Sequence, residues 1–202
     1  MKLYTTSASP NGRRVNIFLA EKGVAIDKQE VDLQGGENLS DDFRTRNPFG
    51  RVPVLELDDG TCIAESVAIS RYIESQHPEP VLFGNSALEQ AIIDMWNRRV
   101  DMNLLIPVAQ AFRNLTGFFK DREEVSKEWG AISAEVARQV TPIFDEQLGK
   151  SEYIAGNNFS VADISLLCTL DFAKATRQEL PFDAPNLSRW HARVSARPSC
   201  QV

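Results

Sequence analysis

Pro78 and Pro80, in the run Gln76-His77-Pro78-Glu79-Pro80, divide the chain into two stretches whose apolar residues recur with different periods. Before them, short strand-like runs alternate with helical patterns; after them, every long segment repeats at helical spacing. Two prolines so close together end a helix and stiffen a connector, so a domain boundary is expected there. Residues 1 to 76 read as an α/β unit, 77 to 86 as a linker and 87 to 202 as an all-α unit. A chain of 202 residues is long enough for two small cores of this kind.

In the first stretch, Lys2 to Tyr4, Gln29 to Leu33, Val52 to Leu57 and Thr61 to Ile63 are predicted strands. Val15, Phe18 and Leu19 lie at helical spacing between the first two, which gives a βαβ opening. Asp58-Asp59-Gly60 is a tight turn, so the last two strands form an antiparallel hairpin. From Glu65 the pattern is helical again, with Ala68, Ile69, Tyr72 and Ile73 on one stripe. In the second stretch, helices are expected over about 87 to 117, 123 to 149, 160 to 178 and 186 to 196, with kinks at Pro107 and Pro142. Phe159-Ser160-Val161-Ala162-Asp163-Ile164 predicts a capping box with Asp in the acidic position, flanked by a hydrophobic staple. Asp163 is therefore read as a folding device.

Several functions are excluded by what the chain lacks. Its formal net charge of −6, without a clustered Lys/Arg run, opposes a general affinity for nucleic acid or an anionic membrane. No segment approaches the roughly 20 apolar residues of a membrane span, and the N-terminus enters strand-like sequence directly, so the cytoplasm is the expected compartment. Cys62, Cys168 and Cys200 are far apart and fit reduced thiols. With two histidines, His77 and His191, no metal site and no His-based triad is expected.

The segment with chemical content is Asn47-Pro48-Phe49-Gly50-Arg51-Val52-Pro53-Val54, a turn and a proline immediately before a strand. Proline there forgoes a ladder hydrogen bond. A cis Val52-Pro53 bond would turn the Val52 backbone groups outward to pair with an extended peptide; a trans edge-strand proline is the alternative. Glu65-Ser66 follows one hairpin later and opens a helix. A helix N-terminus attracts carboxylates, Ser66 adds a hydroxyl donor and Glu65 can receive an ammonium group. The pair suits the zwitterionic end of an amino acid. Taken singly, Ser66 would be an ordinary cap and Glu65 a solvated acid.

In combination and in this order, Val52-Pro53-Val54, Glu65-Ser66-Val67-Ala68-Ile69 and the capping segment Ser160 to Asp163 resemble the cytosolic glutathione transferases, of bacterial or fungal type, over nearly the whole chain. The resemblance implies a thioredoxin-like N-terminal domain, an all-helical C-terminal domain, and glutathione as co-substrate. It implies a homodimeric detoxification enzyme conjugating the glutathione thiolate to small hydrophobic electrophiles. Isomerisation, dehalogenation, disulfide reduction and a binding module without turnover remain alternatives. Val52 and Pro53 would receive the cysteinyl backbone, Glu65 and Ser66 the γ-glutamyl end, and Arg51 and Asn38 the glycyl carboxylate. Asn38 is equally readable as part of a glycine-rich connector.

Conjugation needs the thiolate, and lowering a thiol from about 8.5 by one to two units takes roughly 1.4 to 2.7 kcal/mol. One charge-assisted hydrogen bond, roughly 1.5 to 3 kcal/mol, suffices. In the serine-type families the donor precedes an Arg-Val step, which in Ser9-Pro10-Asn11-Gly12-Arg13-Arg14-Val15 matches Ser9. Ser9 is equally readable as the helix cap; Asn11 is the next candidate, and Thr5, Thr6, Ser7 or a bound water are others. Tyr4 falls too early for the tyrosine-type families, and no cysteine occupies the segment. The electrophile would meet the kinked helix over 87 to 117, with Met102, Ile106, Phe112, Arg113 and Thr116 as candidates. Arg98, Arg99 and Asp101 are assigned either to a dimer interface or to a solvated face.

Overall fold

The structure is a computed structural model that describes residues 1–201. Met1–Leu82 and the segment beginning at Pro198 form one compact unit, and Phe83–Arg197 form a second.

The first unit contains β1 (Lys2–Thr5), α1 (Pro10–Lys22), β2 (Asp27–Glu30), α2 (Asp41–Arg46), β3 (Val54–Glu56), β4 (Cys62–Ala64) and α3 (Ser66–Gln76). The sheet order is β2-β1-β3-β4, with β1 parallel to β2 and antiparallel to β3, and β3 antiparallel to β4. Leu3 stands opposite Leu55, which stands opposite Ile63. Because side chains alternate across a sheet, this row and the Tyr4–Val54 row serve opposite faces. On the second face Tyr4 and Val54 pack with Val31 and Phe43, and the Phe43 ring meets that of Tyr4 edge-on at 6.3 Å. Burial, chiefly, pushes the Tyr4 phenol above its ordinary pKa, in keeping with a strand residue in the core.

α1 starts and stops where its sequence dictates. The Ser9 hydroxyl accepts the Gly12 N–H at 3.0 Å, Pro10 occupies the first turn, and Gly23 ends the helix at φ +63. β3 begins after Pro53 rather than at Val52, since proline has no N–H to give the ladder. The connector after α3 stays with the first unit as far as Leu82, and Lys22 fastens it. Its ammonium pairs with Glu74 and donates to the carbonyls of Pro78 and Pro80. The Glu79–Pro80 bond is cis, which no sequence signal indicated. The C-terminal turn Pro198–Gln201 packs on α1, where Arg13 Nη2 donates to the Cys200 carbonyl at 3.1 Å.

The second unit is helical: α4 (Ala87–Val100), α5 (Ile106–Thr116), α6 (Lys127–Leu148), α7 (Val161–Ala175) and α8 (Pro185–Ser195). α4 and α5 continue one another through a widened π turn over Asp101–Leu105, where the Ile106 N–H reaches back five residues to the Asp101 carbonyl. The widened turn lies immediately before Pro107, whose ring would otherwise crowd the carbonyl four residues earlier. Pro142 lies inside α6, as expected. α6 starts at Lys127, later than the periodicity suggested, because the Ser126 hydroxyl caps the Trp129 N–H at 3.1 Å. α7 is buried on nearly every side over its first ten residues, and its capping box is present.

Candidate functional site

Asn47 is the hinge between α2 and the strand β3. As the residue before Pro48 it is held extended, at φ −144 and ψ 107, and its N–H closes α2 on the Phe43 carbonyl at 3.1 Å. Its side chain then turns back on the loop: Nδ2 donates to the Arg51 carbonyl at 2.8 Å, and Oδ1 accepts the Phe49 N–H at 3.1 Å. Its own carbonyl accepts the Gly50 N–H at 2.8 Å. Gly50 has φ +58, and a Cβ there would lie 2.8 Å from the Asn38 carbonyl oxygen, so glycine is required on both counts. Asn38 holds the same point from below, its Nδ2 donating to the Gly50 carbonyl at 2.6 Å.

The loop delivers Val52–Pro53 in the cis form the sequence suggested. Val52 precedes the first residue of the β3 ladder, so its backbone lies outside the pairing of β1 with β3. Across from it, Glu65 caps α3 at φ +70 and ψ 120, a conformation sparsely populated by non-glycine residues. Ser66 is buried, and its hydroxyl faces Asn11 Oδ1 at 3.5 Å. Asn11 stands in the first turn of α1, so the N-terminal turns of two helices meet here.

These segments enclose a cavity of about 300 Å³ lined by Asn11, Asn47, Phe49, Arg51, Val52, Pro53, Glu65 and Ser66. Arg51, Val52, Pro53, Glu65, Ser66 and Asn11 were singled out in the sequence; Asn47 and Phe49 were not. The Asn47-Pro48 dipeptide, a recognised turn initiator, was the signal available for Asn47. Asn38 lies beneath the loop and is not among the lining residues. Ser9 is also absent from the lining, and its hydroxyl is engaged twice in the α1 turn. It donates to the Thr6 carbonyl at 2.8 Å while accepting the Gly12 N–H. Cys62 lies on β4, and burial, followed by the nearby Glu56, pushes its thiol above the ordinary value.

Within the helical unit, Met102 and Ile106 are exposed at the π turn and just beyond it. Phe112 is in an aromatic cluster with Phe118 and Phe172, at centroid distances of 5.4 and 5.2 Å. Arg113 pairs with Glu123 and lies over the Phe119 ring, and Thr116 accepts the Phe118 N–H at 3.1 Å. Those three fasten the connection between α5 and α6. Arg99 lies over the Trp96 ring at 4.6 Å, and Arg98 is exposed. Among the described residues, no helix is long and apolar enough to cross a membrane, and no cluster of three metal-ligating side chains occurs.

A four-stranded mixed sheet with a cis-proline loop facing a helix N-terminus, followed by a helical unit, defines a thioredoxin-like domain joined to an all-α domain. Residues 3–81 match the glutathione S-transferase N-terminal domain, and residues 115–198 the glutathione S-transferase C-terminal domain. Glutathione S-transferase 2 of Saccharomyces cerevisiae is 38% identical, over 98% of this chain and 87% of its own. The crystal structure of a glutathione S-transferase domain-containing protein of Marinobacter aquaeolei is 41% identical, with a TM-score of 0.95, over 99% of this chain and 100% of the other. A Gtt2-class glutathione S-transferase of Vibrio parahaemolyticus is also 41% identical, with a TM-score of 0.88, covering 100% of this chain and 96% of the other. The chain belongs to the glutathione S-transferase family.

Proposed function

We propose that this transferase binds glutathione in the cavity of the first unit and conjugates its thiolate to small hydrophobic electrophiles. The carrying observation is that three segments distant in sequence, at Asn11, 47–53 and 65–66, line one cavity. Each matches a part of the tripeptide. The Val52 backbone, released from the ladder, pairs with the cysteinyl unit as a strand would. The α3 N-terminus and the Ser66 hydroxyl receive the γ-glutamyl carboxylate, and Glu65 receives the ammonium. Arg51 receives the glycyl carboxylate, while Asn38 supports the loop through Gly50.

The thiol lies toward the start of α1. Asn11 is the candidate donor at the cavity wall, and Ser9 serves by holding the turn that carries it, since the Ser9 hydroxyl hydrogen is on the Thr6 carbonyl. The helix dipole adds to the same stabilisation of negative charge. Met102 and Ile106 are the apolar candidates of the helical unit open to an electrophile. The family resemblance favours a homodimer. A reducing cytoplasmic setting for a detoxification enzyme fits the three thiols Cys62, Cys168 and Cys200.

The test is the ultraviolet thiolate band of bound glutathione followed against pH, together with the rate of conjugation to an activated aryl halide. Wild type is expected to form thiolate one to two units below free glutathione and to turn over. Asn11→Ala should lose most of that shift. Bound glutathione with an unshifted thiol and no turnover would instead support a binding module without catalysis.

A further inference from the structure

We propose that Asn47 is the positioning residue of the glutathione site, presenting Arg51 and Val52 to the glycyl and cysteinyl parts of the tripeptide; the inference rests on the glutathione reading above. The loop between α2 and β3 is short of donors, because Pro48 and Pro53 have no N–H. One buried residue, through its side chain and its own backbone carbonyl, makes up for this. Asn47 is 3% exposed, and it engages the Phe49 N–H, the Gly50 N–H and the Arg51 carbonyl while its own N–H stays on α2. Both polar atoms of its side chain are committed to the loop.

The bond to the Arg51 carbonyl is the informative one. It fixes the peptide unit that joins Arg51 to Val52, so the backbone from which the Arg51 side chain departs and the exposure of the Val52 backbone are set together. Asn38 Nδ2 fixes the preceding peptide at Gly50. Consecutive carbonyls are thus held from two elements, by the 3₁₀ turn over Glu37–Leu39 and by the end of α2. The γ-glutamyl subsite at Glu65 and Ser66 is built on α3 and does not pass through Asn47. Asn47 therefore governs one end of the peptide and not the other.

That asymmetry gives a readout that loss of stability alone would not produce. Calorimetry is run with glutathione and with γ-glutamylcysteine, which lacks the glycyl unit, on wild type, Asn47→Ala, Asn47→Asp and Ser66→Ala. Wild type is expected to prefer glutathione over the dipeptide by about tenfold, the effect of one charge-assisted contact. Asn47→Ala should bring that ratio close to one. Asn47→Asp keeps an acceptor for the Phe49 N–H but places a carboxylate against the Arg51 carbonyl, so it should lose the ratio too, even if the alanine variant does not fold. Ser66→Ala should weaken both ligands by the same factor and leave the ratio intact. A folded Asn47 variant that retains the wild-type ratio overturns the inference. Wild type that binds neither ligand overturns the glutathione reading itself.

Discussion

The indole N–H of Trp190 donates to Asp163 Oδ1 at 2.9 Å, and both side chains are buried in the helical unit. The same oxygen accepts the Ile154 N–H at 2.9 Å, and Oδ2 accepts the N–H and hydroxyl of Ser160, each at 3.0 Å. One carboxylate thus joins the start of α7, the 150s loop and α8.

Burial dominates the ionisation of this group and pushes its pKa up to about 6, against the opposing hydrogen bonds from Ile154, Trp190 and Ser160. A carboxyl raised in the folded state favours the neutral form there. Its contribution is fully present below about pH 4 and is lost as pH rises through about 6. The gap in unfolding free energy between wild type and Asp163→Asn is expected to shrink by about 2 kcal/mol between pH 4 and 7. Denaturant titrations across that range check it, and a gap independent of pH would contradict it.

Lys22 is buried against Glu74, whose carboxylate also accepts the Leu82 N–H at 2.9 Å, so removing the lysine takes a buried cation from that part-buried carboxylate. Lys22→Met should cost about 3 kcal/mol, and adding Glu74→Leu should recover much of the loss. Urea unfolding of the two variants is the measurement; a single-variant loss below about 1 kcal/mol would show that the pair is not what fastens the connector.

Glu65 and Arg177 are the non-glycine residues with positive φ among the described residues, at +70 and +58. Glycine relieves such conformations, so Glu65→Gly and Arg177→Gly should each stabilise by about 0.5 to 1 kcal/mol. Only Glu65→Gly should weaken glutathione binding. Strain kept at a residue facing the cavity and serving ligand recognition would explain why glycine does not stand there.

Ser9→Ala removes a cap and should cost about 1 kcal/mol of stability. If Ser9 acts only through the turn, the thiol pKa of bound glutathione should move less in this variant than in Asn11→Ala. A larger movement in Ser9→Ala would return the donor role to Ser9.

Much of the first unit was legible because its signals are local. Asp58-Asp59-Gly60 signals a turn and Glu65-Ser66 opens an apolar stripe, so the hairpin and the α3 terminus followed from neighbouring residues; at Val52-Pro53 the sequence left cis and trans open and began the strand two residues early. The capping box at Ser160–Asp163 is equally local. What escaped depends on contacts far along the chain. Asn47 and Phe49 reach the cavity only because the loop folds back on them. The widened turn at Asp101–Leu105 records an accommodation of Pro107 that periodicity does not encode. Pro198–Gln201 belongs to the first unit because Arg13 and Glu21, on α1, meet Cys200 and Ser199. Ser9 illustrates the ambiguity between cap and catalyst: the same hydroxyl at the same position suits either role, and only its hydrogen-bond partners tell them apart.

Whether the cavity at Val52, Glu65 and Ser66 holds glutathione is decided by calorimetric titration of wild type and Ser66→Ala. Saturable binding to wild type, weakened about tenfold in a folded Ser66→Ala by loss of one hydrogen bond to a carboxylate, is the expected result. Absence of binding at millimolar glutathione, or equal affinity in the two proteins, would contradict it.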